Sequence, residues 1–79
     1  MTYVYMLQSI AQPGRFYVGL TADLKARLAA HNLGQSTHTA KFAPWRLVTY
    51  VAFSDHSKAL TFERYMKTAS GRAFATKHF

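Results

Sequence analysis

Tyr5, Tyr17, Arg27, His31 and Glu63 are the residues of this sequence whose types and order could work on a phosphate ester. A phenol or imidazole can handle the proton of an attacking water, a guanidinium can offset charge on a phosphate, and a carboxylate can hold a metal ion. Together these are the parts that single-metal phosphodiester hydrolysis needs. Each also has an ordinary structural reading. Arg27 can pair with Asp23 at i−4 on a solvated helix, His31 can cap or pack a helix end, and Tyr3, Tyr5, Phe16 and Tyr17 suit a sheet core.

Glu63 is the most informative of the five. In a helix whose apolar stripe is Ala59, Phe62, Met66 and Ala69, Glu63 falls about 40° from Ala59 at about 100° per residue. A carboxylate on that border needs an ion pair, hydrogen bonds or a metal to offset desolvation. Helix geometry by itself favours an ion pair with Lys67 at i+4, or with a cation of a neighbouring helix. Asp23 and Asp55 suit a helix start and a turn, which leaves Glu63 as the candidate ligand for a hard cation. A lone carboxylate completed by waters and substrate phosphate suits one divalent ion, Mg²⁺ or Mn²⁺. Zinc is not indicated: there is no HxxxH, and His31 and His38 fall in different elements. A Ser/His/Asp set and a glycine-rich phosphate loop are also absent.

Positioning these groups falls to a small set of elements. Tyr3 to Ser9 reads as a strand, Pro13-Gly14 as a turn, and Phe16 to Gly19 as a returning strand. In that hairpin Tyr5 lies opposite the region of Tyr17 to Gly19, with Tyr3 and Tyr5 on one face and Val4 and Met6 on the other. The pattern then predicts a helix with Thr21 as its N-cap, Asp23 in the first turn, Leu24 and Leu28 as its apolar stripe and Gly34 at its end. Arg27 and His31 stand one turn apart on one side of it. Gly34 to Pro44 reads as a polar, basic surface loop, in which His38 and Lys41 can follow a phosphate backbone. Trp45 to Phe53, with Arg46, forms a third strand. A second helix is expected from about Lys58 to Ala69, carrying Glu63 and Lys67 and closed by Gly71, with a further helical turn within Ala73 to Phe79.

With 79 residues the chain is expected to be one domain, 1–79, of a size that buries about 60% of its unfolded surface. A hydrophobic fraction of 49% and an aromatic fraction of 15% exclude intrinsic disorder. No cysteine is present, so disulfides and thiolate zinc sites are excluded. The N-terminus carries no basic leader and no long apolar run, and a cytoplasmic location is expected. Ten Lys and Arg against three acids give a net charge of +7, and the pI of about 10.2 favours a polyanionic partner. An acidic protein or an anionic membrane would also meet that charge, although no basic amphipathic helix with a bulky apolar face suggests a membrane.

The order Tyr3-Val4-Tyr5, then Tyr17-Val18-Gly19 twelve positions beyond Tyr5, then Arg27, His31 and a helical Glu63 resembles the GIY-YIG nuclease domain. The resemblance covers nearly the whole chain, including Leu47-Val48-Thr49-Tyr50 as third strand and Ala59-Leu60-x-x-Glu63 in the helix after it. It is nearest to the small stand-alone bacterial proteins related to the N-terminal domain of the excision-repair excinuclease. It implies an α+β fold, a three-stranded antiparallel sheet flanked by helices, and a one-metal endonuclease acting on nucleic acid, DNA in particular. Carried over, Tyr17 is the general base or positions the water, with Tyr5 beside it. Arg27 stabilises the pentacovalent phosphate, His31 assists through a hydrogen bond or proton relay, and Glu63 holds the metal. His38, Lys41, Arg46 and Lys67 are the expected nucleic-acid contacts, and a protein partner can supply specificity. Two positions depart from the pattern: Tyr3 replaces the glycine of the family name, and Leu20 stands where the excision-repair nucleases carry a lysine. The competing class is a non-catalytic nucleic-acid binder that stacks bases on its aromatic sheet, which needs neither Arg27 nor Glu63.

The charge makes one prediction independent of any catalytic assignment. Affinity for B-DNA should fall steeply with salt, with a log–log slope of about −0.9 per neutralised phosphate. A flat salt titration of binding would exclude nucleic acid as the partner.

Overall fold

Strand β1 (Thr2–Ser9) runs through the middle of the sheet because its side chains are wanted on both faces: Val4, Tyr5, Leu7 and Ser9 are all buried. In the computed structural model, which describes residues 1–79, it is followed by β2 (Phe16–Thr21), α1 (Leu24–Asn32) and a 3₁₀ turn at Ala40–Phe42. Strand β3 (Trp45–Phe53) and helices α2 (His56–Met66) and α3 (Ala69–His78) complete the chain. The sheet is antiparallel in the order β2-β1-β3, and with its helices it forms the α+β architecture that the sequence implied. No helix is long and apolar enough to cross a membrane.

Register fixes which side chains meet. Tyr5 lies opposite Gly19 on β2 and opposite Tyr50 on β3. Strand alternation puts Tyr3, Tyr5, Leu7 and Ser9 on one face and Val4, Met6 and Gln8 on the other. A register shift between Met6 and Leu7 leaves Val48 without a partner, so Leu47 and Tyr50 share the first face although they are three residues apart. On that face Leu24, Leu28, Phe42 and Leu47 pack against Tyr5, Leu7 and Trp45. The second face takes α2 and α3: Ala59, Met66 and Ala75 are buried, and the Phe62 ring packs 5.6 Å from Phe53 and 6.3 Å from Phe74. Leu20, across from Val4, points to this second face.

Helix boundaries differ from the sequence expectation where rival capping residues lie close together. Thr21 remains in β2, paired with Tyr3. Asp23 is the N-cap of α1, its carboxylate accepting from Ala26 N at 3.1 Å. Asp55 caps α2 by accepting from Ser57 N and Lys58 N at 2.9 and 3.2 Å, so that helix starts at His56. It ends at Met66 because Thr68 begins a new helix, its hydroxyl accepting from Gly71 N at 3.1 Å. Ala69 and Gly71 therefore belong to α3, and Ala69 is exposed rather than part of the α2 stripe. Gly34, at φ +73°, does close α1.

Gly71 is not a stop signal but a point of close approach. A Cβ there would strike the Tyr65 carbonyl and lie 2.6 Å from Met66 Cα, both backbone atoms that cannot rotate away. Gly71→Ala should therefore lower stability by at least about 1–3 kcal/mol through overpacking. A thermal melt of the variant that matches wild type would contradict this packing of α3 on α2.

Candidate active site

The Tyr5 ring lies across Gly19. A Cβ on residue 19 would collide with the phenol hydroxyl and would lie 2.8 Å from Cε1 of the ring, so the glycine is required by the tyrosine it faces. Helix α1 then sets two groups against that tyrosine. Tyr5 Oη is 2.9 Å from His31 Nε2, and Arg27 Nε donates to Tyr5 Oη at 3.4 Å. The Tyr17 ring, half-buried on β2, stands 4.9 Å from the His31 ring and 6.2 Å from that of Tyr5. Tyr5, Tyr17, Arg27 and His31 are thus brought together at one end of the first sheet face.

Protonation follows from the hydrogen bonds. His31 is fully buried, with Nδ1 2.8 Å from Thr39 Oγ1. The Thr39 hydroxyl has the Ser36 carbonyl as an acceptor at 3.5 Å, which leaves its lone pairs for His31 Nδ1–H. Nε2 of the neutral ring is then an acceptor, and the Tyr5 hydroxyl donates to it. Burial and, secondly, the nearby Arg27 charge hold His31 below its ordinary pKa, which favours the neutral ring. Burial also pushes the Tyr5 phenol up. The Arg27 hydrogen bond opposes that shift, and the Tyr17 and Glu63 charges add to it. Tyr5 is therefore a neutral donor. Arg27 is in turn held charged, chiefly by its bond to Tyr5 and by the Tyr5 and Tyr17 phenols.

Behind His31 lies a support that the sequence pattern does not reveal. Thr39 is buried, so the Gly34 to Pro44 segment is not wholly a surface loop. Trp45 Nε1 donates to the Thr39 carbonyl at 2.9 Å. Asn32 clamps the Trp45 backbone, accepting from its N–H at 2.6 Å and donating to its carbonyl at 3.1 Å. Ser9, buried on β1, donates to the Phe42 carbonyl at 2.6 Å and accepts from Gln12 N at 3.0 Å. Thr39 sits in a run of polar residues with no periodicity to mark one as buried. A tryptophan one residue after Pro44, with an indole N–H needing a partner, was the available signal.

Glu63 lies on α2 with Oε2 2.8 Å from Lys67 Nζ, their side chains 15% and 52% exposed. The ion pair expected from i,i+4 spacing is present, and with so exposed a lysine it contributes at most about 1 kcal/mol. Asp23 serves as a cap and forms no ion pair with Arg27. No group of three or more His, Cys, Asp or Glu side chains converges anywhere in the fold. A metal held by this fold would have few protein ligands, and Glu63 is the carboxylate that could supply one. Of the other cations, His38 and Lys41 are exposed on the loop, Lys41 lying 5.2 Å from the Phe42 ring centre. Arg46 turns to the second face and hydrogen-bonds Gln8.

The fold and site are those of a small α+β domain whose central strand presents a buried tyrosine to an Arg/His helix. The family model for the GIY-YIG catalytic domain matches residues 1–77, and the chain belongs to that family. A UPF0213 protein of Lacticaseibacillus paracasei is 42% identical over 66 residues, covering 82% of this chain and 72% of that protein. A UPF0213 protein of Cupriavidus pinatubonensis is 34% identical over 79 residues, covering 95% and 86%. The structure-specific endonuclease subunit SLX1 of Candida dubliniensis is 38% identical over 82 residues, covering 95% of this chain but only 27% of the fungal protein.

The buried neutral imidazole sets a pH dependence. The unfolded chain takes a proton on this histidine near its ordinary value of about 6.5, while the folded chain resists it. Its contribution to stability is full above that value and shrinks as pH falls below it. Melts of wild type and His31→Gln at pH 7.5 and 5.5 should show the variant less stable at the higher pH and less sensitive to the drop. Equal sensitivity would remove His31 as the titrating group.

Proposed function

We propose that this chain cleaves DNA phosphodiester bonds hydrolytically with the help of one divalent ion, Mg²⁺ or Mn²⁺. The observation that carries the reading is the Arg27–Tyr5–His31–Thr39 chain of hydrogen bonds beside Tyr17. Arg27 uses Nε on Tyr5, so its terminal nitrogens remain for two oxygens of the scissile phosphate, where they offset charge that grows in the transition state. Tyr5 positions that guanidinium and is not the base, since burial favours its neutral form. Tyr17, less buried than Tyr5, is the hydroxyl that orients the attacking water; as the phenolate it would take that water's proton and become the phenol. His31 supports the pair of phenols as a fixed hydrogen-bond acceptor. Glu63 would hold the divalent ion, which when bound supplies charge neutralisation at the phosphate.

The basic surface supports a polyanionic substrate, with His38, Lys41 and Lys67 as backbone contacts. Arg46 can serve only a strand that reaches the second face. The fungal relative is named as a subunit of a structure-specific endonuclease, which supports a protein partner and recognition of DNA shape for this chain as well. A cytoplasmic site of action fits the reading.

Cleavage of linear, flapped and branched DNA, with and without Mg²⁺, is the direct test. Tyr17→Phe and Arg27→Ala should each cost about 10²-fold or more in rate while leaving binding and melting temperature near wild type. Glu63→Gln should abolish metal-dependent turnover yet barely change the metal-free melting temperature, because its Lys67 partner is half exposed and the amide keeps the side chain's shape and hydrogen bonding. Wild-type turnover by a folded Glu63→Gln protein would overturn the metal assignment, and by either of the others its assigned role.

A further inference from the structure

Helix α1 and the 3₁₀ turn cover only one end of the first sheet face. At the other end Tyr50 is 51% exposed, Ala52 is exposed and Tyr3 is half-buried. Tyr3 and Tyr50 meet edge to face, with ring centres 5.8 Å apart and planes at 73°. This contact fixes the Tyr50 ring without covering it. Tyr50 is also the cross-strand partner of Tyr5, one strand spacing of about 4.8 Å from it. A nucleic-acid strand whose phosphate is held by Arg27 on the β2 side of Tyr5 and which crosses the sheet toward β3 would reach these rings.

An exposed tyrosine in a sheet needs no explanation singly. Two further observations make this pair more than that. It lies on the same sheet face as the Tyr5–Arg27–His31 cluster, and its outer ring is braced by a second aromatic. An exposed aromatic surface on the face that carries a phosphate-binding guanidinium is suited to the face of a base. Duplex bases are stacked on one another and cannot offer that face, whereas an unpaired nucleotide can.

We propose that Tyr50, braced by Tyr3, stacks on an unpaired base of the substrate next to the scissile phosphate. It would be the specificity-determining residue that selects DNA with a single-stranded stretch over continuous duplex. This rests on the nuclease reading for its function, but the contact is measurable in binding alone. Stacking one base on an aromatic is worth about 1–3 kcal/mol by truncation, or about 5- to 150-fold in affinity.

The experiment measures binding by fluorescence polarisation in EDTA, so that no cleavage occurs. Its probes are a single-stranded oligonucleotide, a single-stranded flap and a blunt duplex of the same sequence. Variants are Tyr50→Phe, which keeps the ring, and Tyr50→Thr, which removes it but keeps a good strand former. Tyr50→Thr should lose at least about 5-fold on the single strand and flap and little on the duplex, with an unchanged salt slope. Tyr50→Phe should match wild type. A 2-aminopurine placed at the junction should lose fluorescence on binding wild type and Tyr50→Phe only. Equal loss on duplex and single strand, or none on either, would overturn the proposal. If Tyr50→Thr melts well below wild type, the comparison of Tyr50→Phe with Tyr50→Trp on the same probes decides, since stacking requires Trp to bind at least as tightly. Selective binding without cleavage when Mg²⁺ is restored would overturn the nuclease reading and leave the stacking contact standing.

Discussion

Satisfying both ring nitrogens of a fully buried histidine is the constraint on which the rest of this small structure turns. His31 has no water to bond, so Tyr5 must reach it from the central strand and Thr39 from the connecting segment. Those two bonds tie together the central strand, α1 and the segment before β3, which also share the apolar packing of Leu24, Leu28 and Phe42 on Tyr5, Leu7 and Trp45. Tyr5 can reach only because residue 19 has no side chain, and Thr39 is held through its carbonyl by the Trp45 indole, whose own backbone Asn32 clamps. What looks like a site of four side chains is the visible end of a network that also organises the fold.

The network divides the molecule's labour between the faces of its sheet. The second face, under α2 and α3, is an aromatic and aliphatic core of Val4, Met66 and the Phe53, Phe62 and Phe74 rings. The first face is closed at one end by α1 and open at the other. In a chain this small the core and the site share the central strand, alternate residues serving each. Arg27 illustrates the benefit: it stays exposed, yet its Nε is fixed by a phenol that burial prevents from moving.

Legibility of these features in the sequence depended on whether the signal was local. Strand alternation, the Pro13-Gly14 turn and the basic helix are local, and the sheet and α1 lie where they were expected. Tyr5 opposite the Tyr17 to Gly19 region followed from a short hairpin, and the register proved to be Tyr5 to Gly19. Caps were harder to place because Thr21 and Asp23, or Gly71 and Thr68, offer rival chemistries two or three residues apart, and tertiary contacts decide between them. Thr39 was unreadable for a different reason, since its burial is imposed by His31 and Trp45, neither of which marks it in the sequence. The pairing of Glu63 with Lys67 was legible from spacing.

The collision that forbids a side chain at residue 19 also works in the other direction. Because the Tyr5 ring fills the volume above Gly19, positions 5 and 19 share one fixed volume and are a single unit of variation. A larger residue at 19 is admissible only with a smaller one at 5, and that exchange would strand the His31 imidazole and free the Arg27 guanidinium together. Mutational drift through this pair therefore has no intermediate that keeps both packing and polarity, and the two strands are locked to one another by volume as firmly as by their hydrogen bonds.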